Sequence, residues 1–366
     1  MKKAIIIGEK NSPQTVSELE LLLETLQIEA VYTMRLNLRK INPAYFIGKG
    51  KLEELKGIAN SLDVDTIVFD DELSFTQIRN LSKALQKEVL DRPRVILDIF
   101  ARRALTHEGK LQVELAQLKK RLPELVDQSA SLDQQVGIVG TKGPGERSIE
   151  MRRRDLFDRI RKLEKHLKEI EKQRNLKRER RITSDKFIIS IVGYTNAGKS
   201  TLFNALTKEN LPTDDLLFHT LDTRIRKGFI SKEIGEVLFV DTVGFIRKLP
   251  HELIESFKST LEEIKSSDLI IIVVDISDPN FTAELKTVKD TLNDLDAASI
   301  ETIIVYNKID KLSKNFIFRN IENGLFVSAK TLENIDELKR KIMEKIEERI
   351  LKKWIAISKN KGKKWF

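Results

Sequence analysis

The sequence contains no cysteine, which excludes disulfides and thiolate metal sites and fits a reducing compartment. It also lacks a long hydrophobic run. The longest runs, such as "LIIIVV" at 269–274, fall far below the roughly 18 residues that a membrane-spanning helix needs. The N-terminal "AIIIG" is too short for the apolar core of a signal peptide. These absences predict a soluble cytoplasmic protein that does not enter a membrane.

Length and charge indicate several domains and one strongly basic region. The chain has 366 residues, which is long for a single core and predicts two or three domains. Its 65 Lys and Arg against 56 Asp and Glu leave a net charge of +9. Residues 147–181 alone hold 15 basic and 7 acidic side chains, so nearly all of the excess positive charge is concentrated there.

Residues 1–104 show the pattern of a small parallel sheet covered by helices. Near-continuous apolar runs alternate with amphipathic segments such as "VSELELLLETLQ", and each apolar run is predicted as a strand. These runs are "KAIIIG", "AVYTMRL", "DTIVFD" and "RVILDIF". The first run leads into "GEKNSPQ", which is not a nucleotide-binding fingerprint. We therefore expect no phosphate-binding loop in this N-terminal α/β subdomain.

Residues 105–181 are predicted to form an antiparallel helical hairpin. Leucine and isoleucine recur at intervals of four and three in two segments, which places one apolar seam on each helix. Pro123 is expected to kink or end the first helix. The connection at 126–146 is about twenty residues long and ends in "GTKGPGE", so we expect a flexible, glycine-rich tip. The seam residues are Leu111, Leu115, Leu118, Leu122 and Leu125, then Leu156, Ile160, Leu163, Leu167 and Ile170.

Residues 182–351 return to alternating strand and helix patterns. The apolar runs "KFIISIVG", "EVLFVDTVG", "LIIIVVDIS", "ETIIVYNKID" and "GLFVSAK" are each followed by a helical or loop segment. This alternation predicts the doubly wound α/β fold of a P-loop GTPase domain with a parallel sheet. The remaining residues, 352–366, form a basic tail that carries both tryptophans and is expected to dock on a neighbour or to fray.

The stretch "GYTNAGKS" at 193–200 fits the phosphate-binding loop G-x-x-x-x-G-K-[ST] between a predicted strand and a predicted helix. Glycines let backbone N–H groups surround phosphates at a helix N-terminus, where the helix dipole favours negative charge. Lys199 is predicted to reach the β- and γ-phosphates, and Ser200 to hold Mg²⁺. The predicted contacts are Gly193, Tyr194, Thr195, Asn196, Ala197, Gly198, Lys199, Ser200 and Thr201.

A second motif, "FVDTVG", follows the phosphate-binding loop in the sequence, in the order expected for a nucleoside triphosphate site. It places Asp241 at a strand end, suited to contact Mg²⁺ through water, and leaves Gly244 free to turn its N–H toward a γ-phosphate. The switch threonine that closes over Mg²⁺ is predicted to be Thr220 in "FHTLDTR", with Thr223 and Thr213 as alternatives. The predicted Mg²⁺ ligands are Ser200, Thr220 and Asp241.

Two further motifs select the base. In "NKID" at 307–310, Asp310 can accept N1–H and N2–H₂ of guanine, which adenine cannot offer together. Lys308 can lay its stem over the base, and in "SAK" at 328–330 the Ala329 N–H can bond the guanine carbonyl. Taken alone, "DTVG" and "SAK" are more often a strand end and a turn than a site, but four motifs in order indicate GTP and GDP. The predicted base contacts are Asn307, Lys308, Asp310, Ser328, Ala329 and Lys330.

Three details of the site concern catalysis and ions. Phe245 stands where many GTPases carry a glutamine that orients the attacking water, so intrinsic hydrolysis is expected to be slow. Asn196 predicts a K⁺ ion near the phosphates, because an asparagine at this place of the loop helps to bind K⁺ in several GTPases. His219 is interpreted as a loop residue. The other three histidines form no ligand spacing, which leaves Mg²⁺ as the only predicted divalent metal.

Beyond these shared motifs, the chain resembles the HflX family of translational GTPases. The resemblance covers roughly residues 40–350 and rests on "FIGKGKLEEL", "VFDDELSFTQIRNL", "VILDIFARRALTHEGKLQVELAQL", "KGPGERSIEMRRR" and "FHTLDTR". It implies a GTPase that binds the large ribosomal subunit and its rRNA, and bacterial relatives split stalled ribosomes. The sequence departs from the family pattern at Phe46, where tyrosine is usual, and at Arg147, where threonine is usual. We expect a monomer.

If the protein binds rRNA, as the resemblance implies, the glycine-rich tip is a candidate RNA contact. Lys142 and Arg147 flank glycines beside the basic helix, and such a tip suits insertion among RNA phosphates. Three functions compete: a GTPase whose GTP state docks on the ribosome, a nucleotide-switched module whose partner is another protein, and an RNA-binding module whose own hydrolysis hardly matters. Salt dependence of binding separates the second from the others. Stimulation of turnover by ribosomes separates the first from the third.

Overall fold

The computed structural model describes residues 1–37, 40–133, 144–182, 186–209, 218, 224–248, 264–312 and 321–362. Only the backbone is described at 124–133, 144–149, 175, 177–182 and 352–362. The chain divides into two compact units, of which the first comprises 1–173 with 248–257 and the second 174–247 with 258–366. No helix of the described part is both long and apolar enough to cross a membrane.

The first unit is built on a four-stranded, fully parallel sheet with strand order β2-β1-β3-β4. Its apolar strand residues form a common core with the inner faces of two helices, those at 49–61 and 75–85, as the alternating sequence pattern predicts. The strands are β1 (Lys2–Glu9), β2 (Ile28–Leu36), β3 (Thr66–Phe69) and β4 (Glu88–Asp91). The helices are α1 (Pro13–Thr25), α2 (Lys49–Ser61), α3 (Phe75–Leu85) and α4 (Arg92–Arg103).

The prediction of "RVILDIF" as a strand is wrong, because this run lies in α4. The fourth strand is the preceding "EVLD". Asp91 ends that strand and caps the helix, since its side chain accepts a hydrogen bond from the Arg94 N–H at 3.0 Å. Pro93 stands in the first turn, where its missing N–H costs nothing. Local capping therefore starts a helix in a segment whose β-branched residues suggest a strand.

A helical hairpin follows, formed by α5 (His107–Asp133) and α6 (Pro144–Ile182). Its seam contains Leu111, Leu115, Ile160 and Leu163, all buried, with four partly buried apolar neighbours. Glu114 and Arg159 form an ion pair across the two helices at 2.7 Å. The seams therefore pack against each other as their spacing predicts.

The connection between these helices differs from the prediction in length. The first helix does not end at Pro123 but continues to Asp133, and the second begins at Pro144. The connection is thus 134–143, about half the predicted length, and it lies outside the described residues together with Lys142. Arg147 lies in α6 and not in a flexible loop, because this helix begins three residues earlier, at Pro144. Proline fits the first turn of a helix, where its missing N–H would have no partner.

The second unit contains a six-stranded sheet with strand order β10-β9-β8-β5-β7-β6. The predicted α/β fold class is confirmed, although β6 runs antiparallel to β7 and was not predicted. Charged residues interrupt "RIRKGFIS", so it lacks the apolar run of a buried strand. The strands are β5 (Ile188–Gly193), β6 (Arg224–Ser231), β7 (Gly235–Asp241), β8 (Leu269–Asp275), β9 (Thr302–Asn307) and β10 (Leu325–Phe326).

Three α-helices lie entirely among the described residues of the second unit: α7 (Lys199–Thr207), α8 (Phe281–Asp294) and α9 (Ile335–Gly362). A short 3₁₀ helix spans Ile309–Lys311. The last helix continues to Gly362, so most of the segment 352–366 is part of α9 and not a separate tail. Strands β5, β7, β8 and β9 are parallel and end at one edge of the sheet. Ligand sites of open α/β sheets lie at this edge, and the loops that follow the strands carry the predicted motifs.

Candidate nucleotide site

The loop between β5 and α7 has the backbone geometry of a phosphate-binding loop. Gly198 adopts φ +88° immediately before the helix begins at Lys199. A Cβ at Gly198 would also collide with the side-chain amide of Asn307. Glycine is therefore required twice over, for its conformation and for the close approach. The result is a helix N-terminus that begins at the carboxyl edge of the sheet, where the backbone N–H groups and the helix dipole favour an anion.

The segment after β7 pairs with this loop as a short strand. The Thr195 N–H donates to the Phe245 carbonyl at 2.8 Å, and the Phe245 N–H donates to the Gly193 carbonyl at 3.0 Å. The Phe245 ring is 4% exposed and packs in a core cluster with Val192 and Tyr194. An apolar ring held in this core cannot orient water. Phe245 therefore cannot replace the glutamine that orients the attacking water in many GTPases.

Lys199 lies in the centre of the site. Its side chain is 7% exposed, and its Nζ donates a hydrogen bond to the Tyr194 carbonyl at 2.7 Å. Burial lowers the pKa of Lys199 to about 8, and the Asp241 carboxylate offsets part of this effect by favouring the charged form. A Cβ at Gly244 would lie 2.8 Å from Nζ, so this glycine leaves room for the ammonium group. A phosphate stabilises a buried ammonium group of this kind more strongly than it stabilises an exposed one, because water screens the interaction less.

Ser200 and Asp241 bring two oxygen ligands together. The Ser200 Oγ donates to Asp241 Oδ2 at 3.0 Å, and the aspartate is fully buried at the end of β7. A hydroxyl beside a carboxylate is the hard oxygen donor set that Mg²⁺ prefers. The residues present thus fit the Mg²⁺ that a GTPase fold implies. Thr220 and the alternatives Thr213 and Thr223 lie outside the described residues, as does His219.

The base-selecting motifs are connected to the phosphate loop by hydrogen bonds. Asn307 donates through Nδ2 to the Ala197 carbonyl at 2.9 Å and accepts at Oδ1 from the Ala329 N–H at 2.9 Å. Ser328 Oγ donates to Asp310 Oδ1 at 2.6 Å. The Ala329 N–H, which the sequence assigned to the guanine carbonyl, therefore bonds Asn307 here. These contacts hold the "NKID" and "SAK" loops beside the P-loop, with Lys330 exposed in the turn that follows.

One residue of this region was missed from the sequence. Asp275 ends β8, and its Oδ2 forms an ion pair with Lys308 Nζ at 2.7 Å, with both side chains largely buried. Asp275 Oδ1 also accepts hydrogen bonds from the Ser277 N–H and hydroxyl. The available signal was an aspartate at the end of an apolar strand, in the same position as Asp241. Its partner could be identified only once β8 and β9 were known to be neighbours.

Comparisons with known proteins agree over most of the chain. Three family models match it: "GTP-binding GTPase N-terminal" over 13–101, "GTP-binding GTPase Middle Region" over 103–181 and "50S ribosome-binding GTPase" over 188–308. The GTPase HflX of Caldanaerobacter subterraneus subsp. tengcongensis is 44% identical over 360 residues, which are 98% of this chain and 82% of that relative. The GTPase HflX of Escherichia coli is 38% identical, over 98% of this chain and 85% of the relative.

A solved structure extends the likeness to a nucleotide complex. The protein SsGBP, crystallised with GDP, matches with a TM-score of 0.53 and 27% identity, covering 94% of this chain and 98% of its own. The identities to the GTPase HflX relatives and the coverage of their length confirm the family that the sequence motifs indicated. The chain therefore belongs to the HflX family of GTPases and hydrolyses GTP.

Proposed function

We propose that this GTPase associates with the large ribosomal subunit in its GTP-bound state and that hydrolysis releases it. The observation that carries the proposal is the basic surface of α6, where Arg152, Arg153 and Arg154 are consecutive and exposed. Exposed cations on one helix suit RNA phosphates, which they attract without regard to sequence. The family model described as a 50S ribosome-binding GTPase supports the same partner. Splitting or recycling of ribosomes is the cellular role that this partner suggests.

The nucleotide contacts are part of the proposal. Lys199 donates to the β- and γ-phosphate oxygens, and Asp310 accepts the two N–H groups of guanine. Ser200 and Asp241, with Thr220, would hold Mg²⁺, and the bound ion would supply positive charge to stabilise the transferred phosphoryl group. Gly244 offers its N–H to the γ-phosphate. Support comes from the buried ammonium, the 3.0 Å contact of Ser200 with Asp241 and the close loops around them.

The first test of the site is Lys199→Ala. Loss of the ammonium removes the charge that opposes the developing negative charge on the phosphoryl oxygens, so GTP turnover is expected to fall by at least about a hundredfold. Single-turnover hydrolysis measures this rate. Near-normal hydrolysis would remove the site assignment.

The first test of the partner is co-sedimentation with ribosomal subunits from the source cell, with GDP, with a non-hydrolysable GTP analogue and without nucleotide. Binding to the large subunit is expected to be strongest with the analogue and to fall steeply as salt rises, because several phosphate contacts release counterions. Hydrolysis is expected to be faster in the presence of ribosomes. Absence of binding in all three states contradicts the proposal and leaves a GTPase with another partner.

The hairpin tip is tested separately. Replacing Lys142 and Arg147 with Ala is expected to weaken large-subunit binding without changing GDP affinity. The control replaces two exposed lysines of α2, Lys49 and Lys56, and thus removes the same charge at another place. Equal weakening in both double variants would indicate general electrostatics. Loss of GDP affinity in the first would place the tip at the nucleotide.

A further inference from the structure

Thr195, in the phosphate-binding loop, carries a buried hydroxyl. The side chain is 7% exposed, and its Oγ1 has no hydrogen-bond partner among the described residues. Burying a hydroxyl without a partner costs free energy, so such groups are rare in native proteins and call for an explanation. A partner that arrives with the substrate is one such explanation.

The position of Thr195 supports this explanation. A Cβ at Gly244 would lie 2.8 Å from Thr195 Cγ2 and equally 2.8 Å from Lys199 Nζ. The threonine side chain and the ammonium group therefore border the same small space beside Gly244. The lysine of a phosphate-binding loop serves the β- and γ-phosphates, so this space belongs to the reacting end of the triphosphate.

The Thr195 hydroxyl can be presented to that space by a single side-chain rotation. Oγ1 and Cγ2 are attached to the same Cβ, and a step of χ1 from one staggered rotamer to another brings the oxygen to where the methyl group is now. The backbone at this position is held by the hydrogen bond that the Thr195 N–H donates to the Phe245 carbonyl at 2.8 Å.

Hydrolysis needs a group that orients the attacking water. Phe245 replaces the glutamine that orients water in many GTPases, and its ring is buried in the core. A threonine hydroxyl can accept one hydrogen bond and donate another at the same time, which is what bridging a water molecule and a phosphoryl oxygen requires.

We propose that Thr195 is a catalytic residue whose hydroxyl accepts a hydrogen bond from the attacking water and donates one to a γ-phosphoryl oxygen. The water oxygen then forms a bond to the γ-phosphorus while the bond from that phosphorus to the β–γ bridging oxygen breaks. A proton of the water passes to a γ-phosphoryl oxygen, so that GDP and inorganic phosphate result. This inference rests on the nucleotide site proposed above.

The test compares Thr195→Val with Thr195→Ser. Valine has nearly the same shape and lacks the hydroxyl, whereas serine keeps the hydroxyl and lacks the methyl group. We expect valine to lower single-turnover GTP hydrolysis by at least about tenfold and serine to keep it within about threefold. GDP affinity is measured in both variants as well, because GDP lacks the γ-phosphoryl group and so reports on the binding contacts of the loop apart from the hydrolysis step.

A stability measurement separates catalysis from structure. Valine removes the buried hydroxyl that lacks a partner among the described residues, so the Thr195→Val protein, measured without nucleotide, is expected to melt at a higher temperature than the parent while it hydrolyses more slowly. A purely structural role would move rate and stability in the same direction.

Two outcomes would overturn the inference. Parental hydrolysis in Thr195→Val shows that the hydroxyl is not used, and equal losses in both variants show that the side-chain volume matters instead. Lys199→Ala, measured in parallel, keeps the two hypotheses apart. If this variant is inactive and Thr195→Val is fully active, the site stands and only the role of Thr195 fails. If Lys199→Ala is also active, the site itself is wrong.

Discussion

Lys308 and Asp275 form an ion pair at 2.7 Å at the ends of the neighbouring strands β9 and β8. The same ammonium group lies 3.4 Å from Asn196 Oδ1 in the phosphate loop. Lys308 itself has a left-handed backbone with φ +67°. Its four-carbon stem is flexible, so a partner for the ammonium group is needed to hold the side chain in one direction. Asp275 is that partner and thereby orients the lysine that is proposed to cover the guanine base.

Asp275→Asn is expected to weaken GDP binding by about tenfold, or about 1.4 kcal/mol, because it keeps the shape of the side chain and removes the charge that orients Lys308. Titration of GDP binding measures the effect. Asp278→Asn serves as the control, since it removes the same charge three residues further on, where the carboxylate accepts from the Asn280 N–H. Equal losses in the two variants would mean that Asp275 acts through general electrostatics and not through Lys308.

The pKa of Lys199, about 8 in the nucleotide-free protein, predicts that nucleotide binding takes up a proton. Phosphate groups favour the charged lysine and raise its pKa. GDP affinity is therefore expected to be nearly constant below pH 8 and to fall above it. Calorimetry at pH 8.5 in two buffers with different ionisation enthalpies measures the uptake, for which most of one proton is expected.

Lys199→Arg is the matched control for this measurement, because arginine stays charged throughout the range. Uptake by the arginine variant as well would assign the proton to another group. The same pKa affects stability with a defined sign. Between about pH 8 and 10.5 the unfolded chain binds more protons at Lys199 than the folded chain does. The effect of Lys199 is therefore to increase the free energy of unfolding, measured without nucleotide, as the pH rises through this range.

Phe245→Gln is expected to leave hydrolysis no faster and to lower the free energy of unfolding by about 3 kcal/mol. The ring is 4% exposed within a core cluster, so glutamine would leave a cavity and bury an amide. Urea denaturation and single-turnover hydrolysis measure the two effects. Phe245→Leu, which keeps an apolar side chain, is expected to cost less than about 1.5 kcal/mol. Faster hydrolysis without a loss of stability would show that the side chain at 245 can reach the water.

The K⁺ site that Asn196 indicates predicts faster GTP turnover in KCl than in NaCl at equal ionic strength. Asn196 has a positive φ of 60°, which asparagine tolerates better than most residues. In Asn196→Ala the difference between the two salts is expected to disappear. Equal turnover of the parent protein in both salts would remove K⁺ from the proposed site.

The local motifs could be recognised from the sequence alone because their function depends on short spacings. A phosphate-binding loop needs its glycines and lysine within eight residues of a strand and a helix, and "GYTNAGKS" contains them in that order. The two apolar seams of the hairpin were equally evident, since a helical period requires only neighbours three and four residues apart. Fold class and GTPase family followed from these local patterns.

Contacts between distant segments could be identified only in the tertiary structure. The capped start of α4 overrides the strand pattern of "RVILDIF", and the neighbouring positions of β8 and β9 bring Asp275 to Lys308. The burial of Lys199 and of the Thr195 hydroxyl likewise depends on loops from several strands meeting at one edge. A residue's burial and its lack of a partner are properties of the packed environment, and no spacing along the chain encodes them.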